Sequence, residues 1–179
     1  MNILDAIKER RSVRFYKETP VTEEQVREIV DIARNCPSWS NTQTTRYHVV
    51  LDEAKRKELV GINDYNARYL ESSQATIIVT MVKGKAGSKG GDPSAADFYH
   101  TSKEWTMLDA GIAVDSFCLT AHALGFGTLI MGLFDADKIR SIVPIPENED
   151  IVCVLSMGED LGKGKKPPRI DLDDVITVI

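Results

Sequence analysis

The chain has 179 residues, of which 42% are hydrophobic and 27% are charged, and its formal net charge at pH 7 is -5. This length and composition predict a single domain, spanning residues 1–179, that buries a full core. The negative charge argues against a general nucleic-acid or membrane-surface binder, because such proteins need a broad positive field.

No apolar run approaches the length of a membrane-spanning helix, and the first residues lack the basic and apolar regions of a signal peptide. We therefore expect a cytoplasmic protein. The three cysteines and three histidines are scattered, without a CxxC pair or a zinc-ligand spacing. The sequence predicts neither a disulfide nor a metal site.

A short helix over residues 3–9, capped by Asn2, is predicted to lead directly into Arg10-Arg11-Ser12-Val13-Arg14. We call residues 10–14 the arginine segment. The planar guanidinium group of arginine matches a phosphate group, so three arginines and a hydroxyl within five residues predict an anion site. The alternative is a solvated basic turn, since clustered charges commonly face water.

A capping-box pattern predicts a second helix over about residues 22–35. It is followed by a polar loop at residues 37–43, which we call the amide loop, and by a strand over residues 47–51. Asn41 and Gln43 each carry a donor and an acceptor on one amide group, a combination that suits the edge of a heterocycle. The alternative is a plain connector.

Helices are predicted over about residues 53–60 and 64–72, followed by a strand over Ala75–Val82. This strand is almost continuously apolar and β-branched, which predicts burial on both faces at the centre of a sheet. Residues 84–97 are rich in Gly, Ser, Pro and Lys and predict a mobile loop. They lack the glycine and lysine spacing of a phosphate-binding P-loop, which excludes that motif.

The longest predicted helix runs from about Trp105 to Leu124 and is apolar nearly all round. Such a helix must be covered on nearly every side. We expect a second subunit to cover part of it, and the alternative is burial within one monomer. Residues 125–132 begin like a dinucleotide fingerprint, but Ile130 stands in place of the third glycine, so that fingerprint is absent.

A short helix from Asp135 to about Val143 and a strand over residues 151–157 are predicted next. Residues 163–169 form a second basic cluster. The last residues, 175–179, are apolar and β-branched, so another part of the molecule or a partner must cover them.

Taken in chain order, these motifs resemble those of the nitroreductase family of FMN-dependent oxidoreductases. Each motif is weak alone, but together they follow the family's order over nearly the whole chain. The matching segments are the arginine segment, Pro37-Ser38 with Asn41 and Gln43, Asp109-Ala110-Gly111-Ile112-Ala113, Leu124-Gly125-Phe126-Gly127-Thr128 with Met131-Gly132, and Pro167-Pro168-Arg169.

The resemblance implies an α+β fold in which a mixed, mainly antiparallel sheet is flanked by helices. It also implies an intertwined homodimer with FMN at the interface. The C-terminal strand of each chain would cross over to extend the partner's sheet, which would account for the apolar tail.

The resemblance further implies which residues surround the flavin. Arg10, Arg11 and Arg169 would lie near the FMN phosphate, with Ser12 close by. Arg14 would reach the pyrimidine side of the ring.

Around the ring, the family often has Pro-Trp directly after the residue that corresponds to Gln43. This chain has Thr44-Thr45 instead, so the resemblance does not define the substrate pocket. Pro37, Ser38 and Asn41 would come from the other subunit, Gln43 would sit near the ring, and the backbone around Ile130, Met131 and Gly132 would approach flavin N5.

The implied activity is electron transfer from NADH or NADPH, by hydride delivery to flavin N5, to a nitroaromatic, a quinone or a similar acceptor. Donor and acceptor would take turns, which is a ping-pong mechanism. The cofactor carries this chemistry. The sequence has no Ser/His/Asp or Cys/His arrangement that demands a side-chain nucleophile or base, so no catalytic residue is predicted.

Two alternatives stay open. The first is a flavoenzyme of the same fold with different chemistry, such as a reductive dehalogenase or a dehydrogenase. The second is a non-enzymatic protein that binds FMN or another phosphorylated ligand with the same arginines.

Overall fold

A computed structural model describes residues 2–88, residue 92 and residues 102–179. Within them the chain has an α+β fold, with helices on both faces of a four-stranded sheet. The elements in chain order are α1 (Ile3–Glu9), α2 (Glu23–Ala33), β1 (Thr45–Val50), α3 (Glu53–Leu59), α4 (Ala67–Glu71), β2 (Ala75–Val82), α5 (Ser102–Ala123), β3 (Gly127–Met131), α6 (Ala136–Ile142) and β4 (Glu149–Gly158).

The sheet has the strand order β1-β2-β4-β3, and its three pairings are all antiparallel. β2 is therefore an inner strand, and every residue in it except Val82 is buried. This confirms the prediction of a central strand buried on both faces. β1 and β3 are the two edge strands.

The core lies on both faces of the sheet. On one face, α2 and α5 pack through Ile29 and Phe117 against β2 and β4. On the other face, α3, α4 and α6 pack through residues such as Leu59 and Ile139. Side chains alternate between these two faces along each strand, as expected for a sheet covered on both sides.

The predicted helices and the predicted strands over residues 47–51, 75–82 and 151–157 are confirmed, with boundaries that differ by a few residues. The C-terminal strand implied by the resemblance is not formed in the single chain, where residues 172–174 make a short 3-10 turn and residues 175–179 are not in a strand. Asn2 caps α1, and Thr22 and Gln25 form the predicted capping box at the start of α2. The long helix begins at Ser102, before the predicted Trp105, and ends at Ala123. Gly125, which follows it, has a φ of +93°, a backbone conformation that glycine adopts without steric cost.

α5 is covered on only part of its surface by this chain. Phe117 and Cys118 are buried, whereas Met107 and Leu108 are exposed, as is Leu124 just beyond the end of the helix. The large apolar side chains of α1 and of the C-terminal tail are exposed as well. A single chain thus leaves the long helix partly uncovered, as the sequence led us to expect.

Of the predicted loop over residues 84–97, residues 84–88 and 92 are described, and the rest of that prediction lies outside the described residues. In the described ranges, no helix combines the length and the apolar character needed to cross a membrane.

Candidate functional site

The arginine segment is held against the edge of the sheet by backbone pairing. Ser12 pairs in parallel with Thr128 of β3, and the Val13 amide donates to the Thr128 carbonyl at 2.9 Å. Farther along, Tyr16 pairs with Asp160 just beyond the end of β4. These contacts fix the position and direction of the arginine segment along β3.

Two glycines allow this close approach. A Cβ atom at Gly127 would lie 2.5 Å from a Val13 methyl group, and one at Gly158 would lie 3.0 Å from Tyr16 Cβ. The buried Tyr16 hydroxyl donates to the Val13 carbonyl at 2.7 Å and also contacts Ser156 Oγ at 2.8 Å. Burial raises the pKa of Tyr16, so its hydroxyl stays a neutral donor.

Arg11 lies half-buried at the centre of this region. One terminal nitrogen of its guanidinium group forms a salt bridge with Asp160. Its Nε atom is buried and has no hydrogen-bond partner among the described residues. A buried donor without a partner is costly, so this nitrogen fits a bound anion.

His122, in the last turn of α5, was not predicted as a site residue. Its buried Nε2 atom also lacks a hydrogen-bond partner within the described part of the chain. Burial lowers the pKa of His122, and the charges of Arg11 and Arg10 lower it further. The sequence signal was weak, because a single histidine on an apolar helix is most simply a core residue.

The predicted basic residues differ in how they are placed relative to Arg11. The half-buried Arg10 ends α1. Arg14 is exposed, with its guanidinium carbon 6.0 Å from the Tyr69 ring centre. Arg169 is exposed and donates to the carbonyls of Pro167 and Pro168. Its predicted role at the phosphate stays a prediction.

The chain after Asp160 returns to the arginine segment. A Cβ atom at Gly164 would lie 3.6 Å from Arg11 Nε, and Lys166 Nζ lies 3.3 Å from a Glu9 carboxylate oxygen. The C-terminal basic cluster therefore passes next to Arg11 at Gly164, and Lys166 ties it to the end of α1.

The end of β3 presents an open backbone surface close to this site. Leu129 and Met131 are buried against the layer of α3, α4 and α6, so Ile130 points to the opposite face, where it is 48% exposed. A Cβ atom at Gly132 would meet no atom of the described chain within 4 Å. A flat ligand therefore has access to the backbone of residues 130–132.

The amide loop has an unusual backbone. Ser40, Asn41 and Gln43 have φ values of +44°, +54° and +49°, which residues other than glycine adopt at a cost. The backbone N–H of Gln43 donates to Ser38 Oγ at 3.0 Å. Such strain persists only where surrounding contacts hold it, and it is common in binding loops.

A groove of about 1010 Å³ lies between α2 and β1, beside the amide loop. Pro37, Ser38 and Gln43 line part of it, together with side chains of α2 and β1 and with Asp109 and Ala113 of α5. The side chains of Asn41 and Gln43 are exposed.

The residues that flank Gln43 depart from the Pro-Trp of the family. Thr44 is buried, and the hydroxyl groups of Thr42 and Thr44 have no hydrogen-bond partner among the described residues. Of these two, only Thr44 belongs to the Thr44-Thr45 pair that replaces Pro-Trp, and the Thr45 hydroxyl donates to Met81 Sδ at 3.2 Å. The substitution therefore places one unsatisfied hydroxyl group beside the loop.

The amide loop and the arginine segment lie at opposite ends of α5. The Trp39 amide of the loop donates to Asp109 near the start of the helix, whereas His122 near its end is under the electrostatic influence of Arg10 and Arg11. Because a helix rises about 1.5 Å per residue, Asp109 and His122 are about 20 Å apart. One chain thus carries two separate groups of predicted site residues.

Comparison with known proteins adds an independent finding. A family model described as the nitroreductase family matches residues 7–159. A 4-nitrobenzoate reductase from Pseudomonas putida is 29% identical over 184 residues, covering 83% of this chain and 81% of the relative. An NADH dehydrogenase from Thermus thermophilus is 26% identical over 186 residues, covering 93% and 91%.

A solved structure shows the same fold. A protein from Exiguobacterium sibiricum, crystallised in complex with FMN, superimposes with a TM-score of 0.84 at 22% identity. The match covers 100% of this chain and 98% of that chain.

Proposed function

Because this chain belongs to the nitroreductase family, we propose that it is an FMN-dependent oxidoreductase consisting of one FMN-binding domain over residues 1–179. It passes electrons from NADH or NADPH to a nitroaromatic, a quinone or a similar acceptor. It works as a homodimer with FMN at the interface, and we place it in the cytoplasm. The names of the relatives support the activity, since they include a nitroreductase-type enzyme and an NADH dehydrogenase.

One structural observation carries the proposal. The arginine segment is paired through Ser12 and Thr128 to the same strand whose open end is Ile130–Gly132. Within this segment, the Nε of Arg11 has no hydrogen-bond partner among the residues that the structure describes. A ligand with a phosphate at one end and a flat ring at the other matches this arrangement. FMN is such a ligand.

In this proposal the residues bind and orient the cofactor. Arg10, Arg11 and Ser12 hold the phosphate, with Arg169 completing the charge around it, and Arg14 faces the pyrimidine side. FMN supplies the redox chemistry by accepting hydride from the nicotinamide and passing electrons to the acceptor. The open backbone at residues 130–132 lets the ring lie against β3 and offers it amide groups.

The second subunit completes the ring site. Gln43 lies near the ring, together with Pro37, Ser38 and Asn41 of the partner subunit. The separation of about 20 Å along α5 supports this division, since it places the amide loop of one chain far from the arginine segment of the same chain.

The C-terminal tail supports the homodimer. Leu172, Val175 and Val178 are exposed in the single chain, and the outer edge of β1 has no strand partner among the described residues. The groove between α2 and β1 runs along this edge. The tail of a second copy would bury its apolar side chains there and pair with β1.

The activity is tested by its kinetic pattern. The chain has no dinucleotide fingerprint, so donor and acceptor should share the one accessible face of the flavin and bind in turn. Anaerobic NADH or NADPH is expected to bleach the flavin absorbance, and a quinone or nitroaromatic added afterwards should restore it. Steady-state double-reciprocal plots at several acceptor concentrations should be parallel.

Other outcomes point to the alternatives. Intersecting lines would require a second nicotinamide site and would contradict the ping-pong order. A bound flavin that neither nicotinamide reduces would favour a flavoenzyme of different chemistry. Purified protein without flavin, and without affinity for added FMN, would contradict the proposed function itself.

The ring position is tested by Gly132→Val. Because a Cβ atom at this position meets nothing within 4 Å, the valine should leave the stability of the apoprotein nearly unchanged. It should also occupy the space proposed for the ring, and we expect FMN and riboflavin to bind at least about tenfold more weakly, a loss of about 1.4 kcal/mol. Flavin fluorescence titration measures this, and unchanged affinity for both flavins would contradict the placement at Gly132.

A further inference from the structure

Asp109 is a buried carboxylate that the proposed function does not use. It lies in the first half of α5 and is 2% exposed. Its two oxygens lie 3.0 and 3.1 Å from the backbone nitrogen of Trp39, and the Trp39 N–H donates to them. No other hydrogen bond to this carboxylate comes from the described residues.

Burying this carboxylate is unfavourable for folding. Burial raises the pKa of Asp109, and the hydrogen bond from Trp39 offsets only part of that effect. A folded-state pKa above the unfolded value means that the charged form opposes folding at neutral pH. An asparagine or a small apolar residue would avoid this cost, so the charge at this position calls for another explanation.

The position of Trp39 in the amide loop explains why a charged acceptor is present. Trp39 begins the turn Trp39–Asn41 inside the amide loop, and the strained residues Ser40, Asn41 and Gln43 follow directly. A charged acceptor binds a backbone N–H more strongly than a neutral one does. Asp109 therefore anchors the loop at the residue where its strained backbone starts.

Two further contacts hold Trp39 through its side chain. The Trp39 indole N–H donates to the Ser88 carbonyl at 2.8 Å, and its ring lies 4.4 Å from the Trp105 ring, centre to centre. Both contacts involve the side chain of Trp39. Asp109, in contrast, offers a charged acceptor to the backbone N–H of Trp39.

We propose that Asp109 is a positioning residue, which holds the amide loop in the shape that binds the flavin ring of the partner subunit. The inference rests on the proposed function, because it assumes that the loop contacts a flavin. Asp109 of α5 would thus affect flavin binding indirectly, through its hydrogen bond to the backbone N–H of Trp39.

The test compares Asp109→Ala with Asp109→Asn in the full-length protein. The alanine removes the acceptor, so the loop should relax, and FMN and riboflavin should both bind about tenfold more weakly. The asparagine keeps an acceptor oxygen and removes the buried charge. Because a neutral acceptor binds the N–H more weakly than a charged one, this variant should have a flavin affinity between those of the alanine variant and wild type, about threefold below wild type. The melting temperature of its apoprotein should be at or above that of wild type.

A loss shared by FMN and riboflavin separates this effect from an effect on the phosphate. Asp137→Ala is the matched control, because it removes an exposed aspartate from α6 on the other face of the sheet. Affinities are measured by flavin fluorescence at a temperature where circular dichroism shows each apoprotein to be folded. If Asp109→Ala does not fold, Asp109→Ser replaces it, since its hydroxyl is too short to reach the Trp39 amide.

The outcomes distinguish this inference from the proposed function. Wild-type protein that binds neither flavin would overturn the proposed function. Wild-type protein that binds FMN, with Asp109→Ala and Asp109→Ser binding equally well, would overturn only the role of Asp109. Equal weakening by the asparagine and alanine variants would also overturn it, because the anchor would then not be the hydrogen bond to Trp39.

Discussion

Removal of residues 171–179 is expected to abolish the dimer and to release FMN. The deleted segment contains Leu172, Val175, Ile176, Val178 and Ile179, which are all exposed in the single chain. Burying apolar surface is worth about 25 cal/mol per Å², so five such side chains represent several kcal/mol of lost association. The partner's groove and the β1 edge would lose their cover at the same time.

Flavin is lost in this variant because each site needs both chains. Without the dimer, the arginine segment of one chain no longer meets the amide loop of the other. Multi-angle light scattering gives the mass, and the ratio of absorbance at about 450 nm to that at 280 nm gives the flavin content. Exposed β1 edges should also raise the tendency to aggregate.

Two point variants show whether the loss of the dimer comes from the apolar side chains of the tail. Val178→Asp places a charge in the apolar tail and should weaken the dimer without shortening the chain. Asp174→Asn changes a polar, exposed residue of the same tail and should leave mass and flavin content unchanged. A flavin-loaded, stable monomer after the deletion would show that the tail does not assemble the site.

Arg10→Ala and Arg169→Ala are each expected to weaken FMN binding by about tenfold to a hundredfold. A hydrogen bond to a charged partner contributes roughly 1.5 to 3 kcal/mol, which corresponds to this range of affinity. Arg10 has no ion pair among the described residues, so its removal leaves no buried carboxylate behind. Arg11 is less suitable, because its removal would strand the charge of Asp160.

Riboflavin separates phosphate binding from a structural role. It has the same ring but no phosphate, so its affinity should hardly change in either arginine variant. Lys57→Ala serves as the control, since it removes an exposed cation from α3, where Lys57 pairs only with Glu53 among the described residues. Parallel losses for FMN and riboflavin would mean that the two arginines support the fold and do not contact the phosphate.

The sequence by itself determined the local elements, because their signals lie within a few residues. The Thr22 capping box, the apolar run of β2 and the break at Gly125 each depend on backbone and side-chain preferences of neighbouring residues. The arginine segment and the amide loop were found in the same way, from residue types at short spacing. The family's order of motifs then linked them to one function.

Only the tertiary structure decided which distant residues meet. The pairing of Ser12 with Thr128 and the hydrogen bond from Trp39 to Asp109 join residues far apart in sequence. The burial of Arg11 Nε and His122 Nε2 without a partner in the described ranges likewise follows from the fold. No periodicity encodes such contacts, since they depend on the strand order β1-β2-β4-β3 and on how α5 packs across the sheet. The sequence showed that the tail and the long helix need cover. In the described part of the folded chain both stay partly exposed, because α2 and the sheet cover only one side of α5 and the tail extends beyond the core.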